Sequence, residues 1–184
     1  MDPLLALTLA LGLAALLAAS ASHQLARPRE WLSVVRNYQL LAPALSAPAA
    51  AGVIVGELIV AAGLMWPPAR TRAGVACAAL LGLFAVAMWI NIRRGRTEID
   101  CGCFGSRSTQ GIAPWMVWRN IVLGACSLAL ALPRGARELS ALDLVVCVGC
   151  VATLGFLYPA VAVVLRTAPP ADLARRGAAA RRGS

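Results

Sequence analysis

Five long apolar runs separated by short polar or proline-marked segments set the pattern of this chain: Leu4–Ser22, Ala47–Trp66, Ala73–Ile92, Pro114–Leu132 and Ala141–Leu165. Each has the length of about 17–25 residues that a helix needs to cross a bilayer. They predict an all-α, polytopic membrane bundle of five transmembrane helices, multi-pass in a bacterial cell membrane. The first run has no basic leader after Met1 and Asp2. It also exceeds the roughly 7–15 apolar residues of a signal peptide, so it reads as a retained helix.

The connections differ in kind. Pro67–Arg72 and Pro133–Ser140 are short, which makes the second and third helices, and the fourth and fifth, antiparallel neighbours. His23–Ser46 is longer and mixes Trp31, Val34, Val35, Tyr38, Leu40 and Leu41 with charges, the pattern of an amphipathic helix at the interface. Residues 1–165 form the expected bundle, and 166–184, with its arginine pairs and prolines, reads as a basic disordered tail. Trp89, Trp115 and Trp118 fall near one expected interface and Trp66 near the other, where aromatic rings anchor helices at headgroup level.

Composition narrows the class. Of 184 residues, 60% are apolar and 14% charged, with a mean hydropathy of +0.75. A soluble domain of this size buries only about 70% of its unfolded surface, too little to hide so much apolar area from water. That excludes a soluble enzyme and a disordered chain. The net charge of +9 sits mostly on arginines between apolar runs, where it meets lipid headgroups rather than nucleic acid.

The chemistry concentrates in Arg93–Ala113. There Cys101 and Cys103 flank Gly102 in a loop. Such a pair is a redox pair, half of a metal site, or a structural staple. A disulfide across one residue closes a small ring, and strained bonds of that kind exchange readily. Arg93, Arg94, Arg96 and Arg107 favour a thiolate, whereas Asp100 opposes it and leaves Cys103 the better nucleophile. A metal site needs four ligands, and the single histidine, His23, does not complete one, so no metal is expected.

Asp100-Cys101-Gly102-Cys103-Phe104-Gly105, followed by Trp118-Arg119-Asn120, resembles the MauE family of methylamine-utilisation membrane proteins, related to DoxX-like redox-associated proteins. Tyr38-Gln39-Leu40-Leu41-Ala42-Pro43, Glu57 and Arg94-Gly95 fit the same pattern, and the likeness covers residues 1–132. The resemblance implies a four-helix core plus a fifth helix. It further implies a thiol–disulfide role with a thioredoxin-like partner, in maturing an exported client such as the small subunit of methylamine dehydrogenase.

A charged group inside an apolar run costs at least about 2.5–3.5 kcal/mol at the helix centre, so it needs a partner. Glu57 lies about ten residues into its helix and Arg119 about five, a depth difference of roughly 7 Å at 1.5 Å per residue. This counting places Glu57, Asn91, Arg119 and Asn120 in one polar cluster beneath the cysteine loop, either pinning helices or moving a proton. Cys147 and Cys150 share a helix face and form a possible second redox pair, through which a quinone could serve as electron acceptor. They equally fit as packing residues, as do Cys77 and Cys126.

Orientation divides the arguments. The positive-inside count favours a cytoplasmic cysteine loop, while disulfide chemistry with exported clients needs the outer face, which is the side adopted here. The leading reading is a membrane thiol–disulfide protein exchanging through Cys101 and Cys103. Its rivals are a non-catalytic adaptor with a stapled loop and a quinone-coupled thiol oxidase using Cys147 and Cys150. A small transporter is a poorer fit, since no broken helix is evident.

Overall fold

The computed structural model describes residues 2–99, 111–132, 135 and 140–167, with side chains as far as Gly155 except Leu154. The cysteine loop and the basic tail beyond Thr167 lie outside the described residues. Within them the chain is entirely helical: α1 (Pro3–Ala26), α2 (Pro28–Asn37), α3 (Pro43–Met65), α4 (Arg70–Arg93), α5 (Pro114–Leu128) and α6 (Ala141–Thr167), with a short 3₁₀ turn at Ala129–Ala131.

Local signals explain where the helices start. Pro3, Pro28, Pro43 and Pro114 each open a helix, where the missing N–H would be unsatisfied anyway. Asp2 caps α1 by accepting from the Leu4 N–H at 2.8 Å. At α6, Ser140 and Asp143 cap reciprocally: the Ser140 N–H donates to Asp143 Oδ2 at 2.9 Å, and the Asp143 N–H donates to Ser140 Oγ at 3.3 Å. Helix α4 stops where Gly95 takes a φ of 71°, a left-handed conformation that glycine adopts without penalty.

Helices α1, α3 and α4 are long and apolar enough to cross a membrane. Their outward faces carry exposed Leu5, Val55, Ile59, Val75, Leu83 and Val86, the inverse of a water-soluble surface. Inside, Ala6, Ala10, Leu13, Leu17, Val60, Leu64, Cys77 and Leu81 form the main core. Helix α3 packs between α1 and α4, α4 packs on α5, and α1 touches both α5 and α6. The result is a core of three long helices and the shorter α5, with α6 laid against α1. The amphipathic segment of the first connection is α2, which rests on α1 and α3 with Val34 turned inward.

Small residues permit the closest approach. A Cβ at Gly74 of α4 would meet the Ser127 carbonyl oxygen at 2.8 Å and Leu130 Cβ at 3.1 Å. Gly74→Val is therefore expected to wedge α4 from α5 and to cost about 1–3 kcal/mol, typical of overpacking. Unfolding of the purified protein in detergent or nanodiscs measures this, and a variant as stable as the parent would refute the tight crossing.

Candidate functional site

One end of the bundle collects the C-termini of α1 and α4 and the N-termini of α3 and α5. Here the segment carrying Cys101 and Cys103 leaves and re-enters the described structure. The Ile112 N–H donates to the Ile99 carbonyl at 3.0 Å, so the two ends of that segment meet. Gly111 presses so closely on Thr97 that a Cβ would run into the Thr97 carbonyl, and it would lie 2.9 Å from Glu98 Cα. Ile112 is buried with Ala85, Met88, Met116 and Val117, and Tyr38, Phe84 and Ile92 pack against this second core. The two cysteines themselves lie outside the described residues. The described flank at Ile112 thus rests on an apolar seat on α4 and α5, with Tyr38, the residue after α2, beside it.

The polar residues singled out from sequence take distinct places. Glu57 is fully buried in α3 and accepts from Ser20 Oγ of α1 at 3.0 Å. Ser20 in turn accepts from Gln24 Nε2 at 3.0 Å, one turn further along α1. Glu57 Oε2 and Gln24 Oε1 are buried without a hydrogen-bond partner. Asn91, also fully buried, donates from Nδ2 to the Ala87 carbonyl at 3.1 Å. Asn120 is buried in α5, and the half-buried Arg119 stacks its guanidinium over Trp115 at 5.7 Å.

Helix register gives their relative depths. Gly56 of α3 lies beside Leu80, and Gly124 of α5 beside Ala78 and Leu81. Glu57 and Asn120 therefore fall within about one helical turn of each other in depth, whereas Asn91 is eleven residues past Leu80, about 16 Å nearer the cysteine loop. Ser20 and Gln24 escaped the sequence reading. Their spacing of four on one face of α1, at the depth of Glu57 in an antiparallel pair, is the signal that identifies them.

Cys147 and Cys150 part company. Cys147 is buried against α1, with the Thr8 hydroxyl 3.4 Å from its sulfur, whereas Cys150 is exposed; both are free thiols. Thr8 is twelve residues from Ser20 on α1, so Cys147 sits about 18 Å from the Glu57 level, toward the end opposite the cysteine loop. Cys77 is a buried free thiol in the main core, and Cys126 is a partly buried one on α5.

With this geometry in hand, comparison with known proteins is decisive. The family model for methylamine utilisation protein MauE matches residues 2–133. This chain belongs to the MauE family. Among its relatives, the methylamine utilization protein MauE of Paracoccus denitrificans is 42% identical over 130 residues, covering 71% of this chain and 70% of the relative. That of Paracoccus versutus is 44% identical over 144 residues, covering 78% and 77%. The protein of the same name from Methylophilus methylotrophus is 40% identical over 131 residues, covering 71% and 69%. No solved structure matches the chain. The MauE match ends at residue 133, so it takes in α1 to α5 and the cysteine loop and stops before α6.

Proposed function

We propose that this MauE-family chain is an integral membrane thiol–disulfide protein of methylamine utilisation, exchanging through Cys101 and Cys103 on the extracytoplasmic face. It acts with a thioredoxin-like partner to complete the disulfides of an exported client. The observation that carries this reading is Cys101-Gly102-Cys103 strung between Ile99 and Ile112, whose backbone hydrogen bond draws the flanks together over a buried apolar seat. Five membrane passes accompany the proposal. Helix α5 with its 3₁₀ turn spans Pro114 to Ala131, about 27 Å at 1.5 Å per residue, close to the roughly 30 Å hydrocarbon thickness.

A glycine between two sulfurs gives the backbone freedom to close a small ring, and the strain of that ring makes the bond easy to pass on. The partner's thiolate attacks the closed Cys101–Cys103 bond, a mixed disulfide forms and resolves as the partner's own disulfide closes, and this chain ends with two thiols, having taken up two electrons and two protons. The pair is expected to show a reduction potential within the roughly −120 to −270 mV of exchangers, against the below about −300 mV of structural bonds. Redox-buffered alkylation followed by peptide mapping measures it. In intact cells an impermeant maleimide should reach Cys101 and Cys103 after mild reduction. Labelling only after lysis overturns the outward orientation, and sulfurs that never change state overturn the exchange.

A further inference from the structure

Alongside the seat of Ile112 runs a groove of about 220 Å³, lined by residues of α2, α3, α4 and the end of α1. Trp31 and Val34 line it from α2, Val53 from α3 and Met88 from α4. The Trp31 indole N–H is spent on the Ala50 carbonyl at 3.0 Å. Gln24 turns its amide nitrogen to Ser20, and its Oε1 is shut off in the packing, so only its stem faces the groove. With these polar atoms withdrawn, the walls suit saturated hydrocarbon. A cavity of about 150 Å³ takes the six carbons of benzene, so this one takes a run of about nine methylenes.

Charge stands at the rim. Helix α2 ends at Asn37, and the chain turns through Gln39, whose φ of 47° is uncommon for a residue other than glycine. Gln39 lies between Tyr38 and Leu40, which both line the groove. Its carbonyl accepts from Arg94 Nη1 at 3.4 Å, and its N–H donates to the Arg36 carbonyl at 3.1 Å. Arg94 and Arg36 therefore meet at one corner of the groove. Both are exposed, and among the described residues the ion pair is Arg27–Glu30, so neither is neutralised by a carboxylate there. Arg94 spends one of its five N–H donors on Gln39, which leaves the rest of its fork for the oxygens of an anion. Helix α3 starts at Pro43, two residues past the exposed Leu41, with no side chain capping it, and its positive end adds to the same potential.

We propose that this groove holds one acyl chain of an anionic phospholipid, whose phosphate is bound by Arg94 and Arg36. The vertical order carries the assignment: Arg94 follows Met88 by six residues, about 9 Å further out along α4, so hydrocarbon lies inward and positive charge outward. That is the order of a glycerophospholipid standing in its leaflet. A zwitterionic headgroup brings an ammonium that the two arginines repel, so the site selects a net negative lipid. Tyr38 and Met88 belong both to the groove and to the core that seats Ile112, so the bound chain braces α2 against the base of the cysteine loop.

The test is native mass spectrometry of the full chain in detergent, titrated with phosphatidylglycerol and phosphatidylcholine of the same chain length. The first bound lipid should be phosphatidylglycerol, preferred about tenfold. Arg94→Gln should cut that preference to about twofold, whereas Arg72→Gln, which removes the same charge at the other end of α4, should leave it unchanged. Ala87→Phe and Val53→Phe, which fill the groove from α4 and α3, should each lower retention of both lipids at least about fivefold. Equal retention of the two lipids by the parent overturns the proposal. So does an Arg72→Gln effect as large as that of Arg94→Gln, or retention that survives both filling variants. A copurified apolar molecule that phosphatidylglycerol does not displace, or a dimer that excludes lipid, overturns it as well.

Discussion

Gly111→Val should slow client oxidation on the order of 10²-fold, although it leaves both Cys101 and Cys103 in the chain. The cause is steric and local. A side chain at position 111 would drive into the Thr97 carbonyl, and the backbone of Glu98 lies just beyond at 2.9 Å. Neither neighbour is the flexible end of a side chain, so the two strands of loop must separate. Separation breaks the Ile112–Ile99 hydrogen bond and lifts Ile112 from its pocket among Met88, Met116 and Val117. Thiol exchange requires three sulfurs in line, and displacement of a reacting group by about 1 Å costs on the order of 10²-fold in rate. The initial rate at which client disulfides form, followed by mass spectrometry, should fall by that factor. The bundle core built on α1, α3 and α4 lies elsewhere and should keep its helical circular dichroism. Full activity in Gly111→Val would mean that the closed loop base has no part in exchange. Loss of the helical signal would instead make the glycine a requirement for folding.

Much of this architecture is legible in the chain because the bilayer imposes so coarse a rule. Apolar runs of spanning length become α1, α3 and α4, and the charged, aromatic stretch after the first becomes the separate helix α2. Prolines mark the helix starts, since only at the first turn does their missing N–H do no harm. Boundaries were harder to read: the first apolar run ends at Ser22, yet α1 continues to Ala26, because His23 and Gln24 are polar but still helical. That short extension hides the most informative contact. Counting depth pairs Glu57 with Arg119 across the bundle, but the hydrogen bond to Glu57 comes from Ser20, and Arg119 stacks on Trp115. Serine and glutamine carry little weight in a hydropathy profile, so a partner of this kind is invisible unless helix faces are compared. The separation of Cys147 from Cys150 depends on how α6 turns its face to α1, which a spacing of three does not specify.

The second large effect should come from that hidden contact, and it separates a structural network from a working one. Ser20→Ala removes the hydrogen bond to Glu57 Oε1, while Oε2 already lacks one, so a fully buried carboxyl group keeps only the Gln24 amide as a polar neighbour. The same change strands Gln24 Nε2, its donor partner on the next turn. Leaving buried polar groups unmade costs about 1–3 kcal/mol, more when a charge is involved, so a loss of about 2–3 kcal/mol is expected. Typical interhelical hydrogen bonds in membranes contribute only about 0.6 kcal/mol, because the separated helices find other partners. Ser20→Ala should exceed that figure because the group it abandons is enclosed on every side. Adding Glu57→Leu to Ser20→Ala should then recover the carboxyl group's share of that loss, about 1–2 kcal/mol, while the buried Gln24 amide, left without Ser20, keeps the double variant below the parent. Steric-trap or thermal unfolding of the two singles and the double completes the cycle. A Ser20→Ala variant indistinguishable from the parent would show that the carboxyl group draws its support from elsewhere. Client oxidation measured on the double variant, at a temperature where its unfolding curve shows it folded, then decides the role: retained activity makes the network a clasp between α1 and α3. Lost activity in the folded variant makes Glu57 a functional group, held by Ser20.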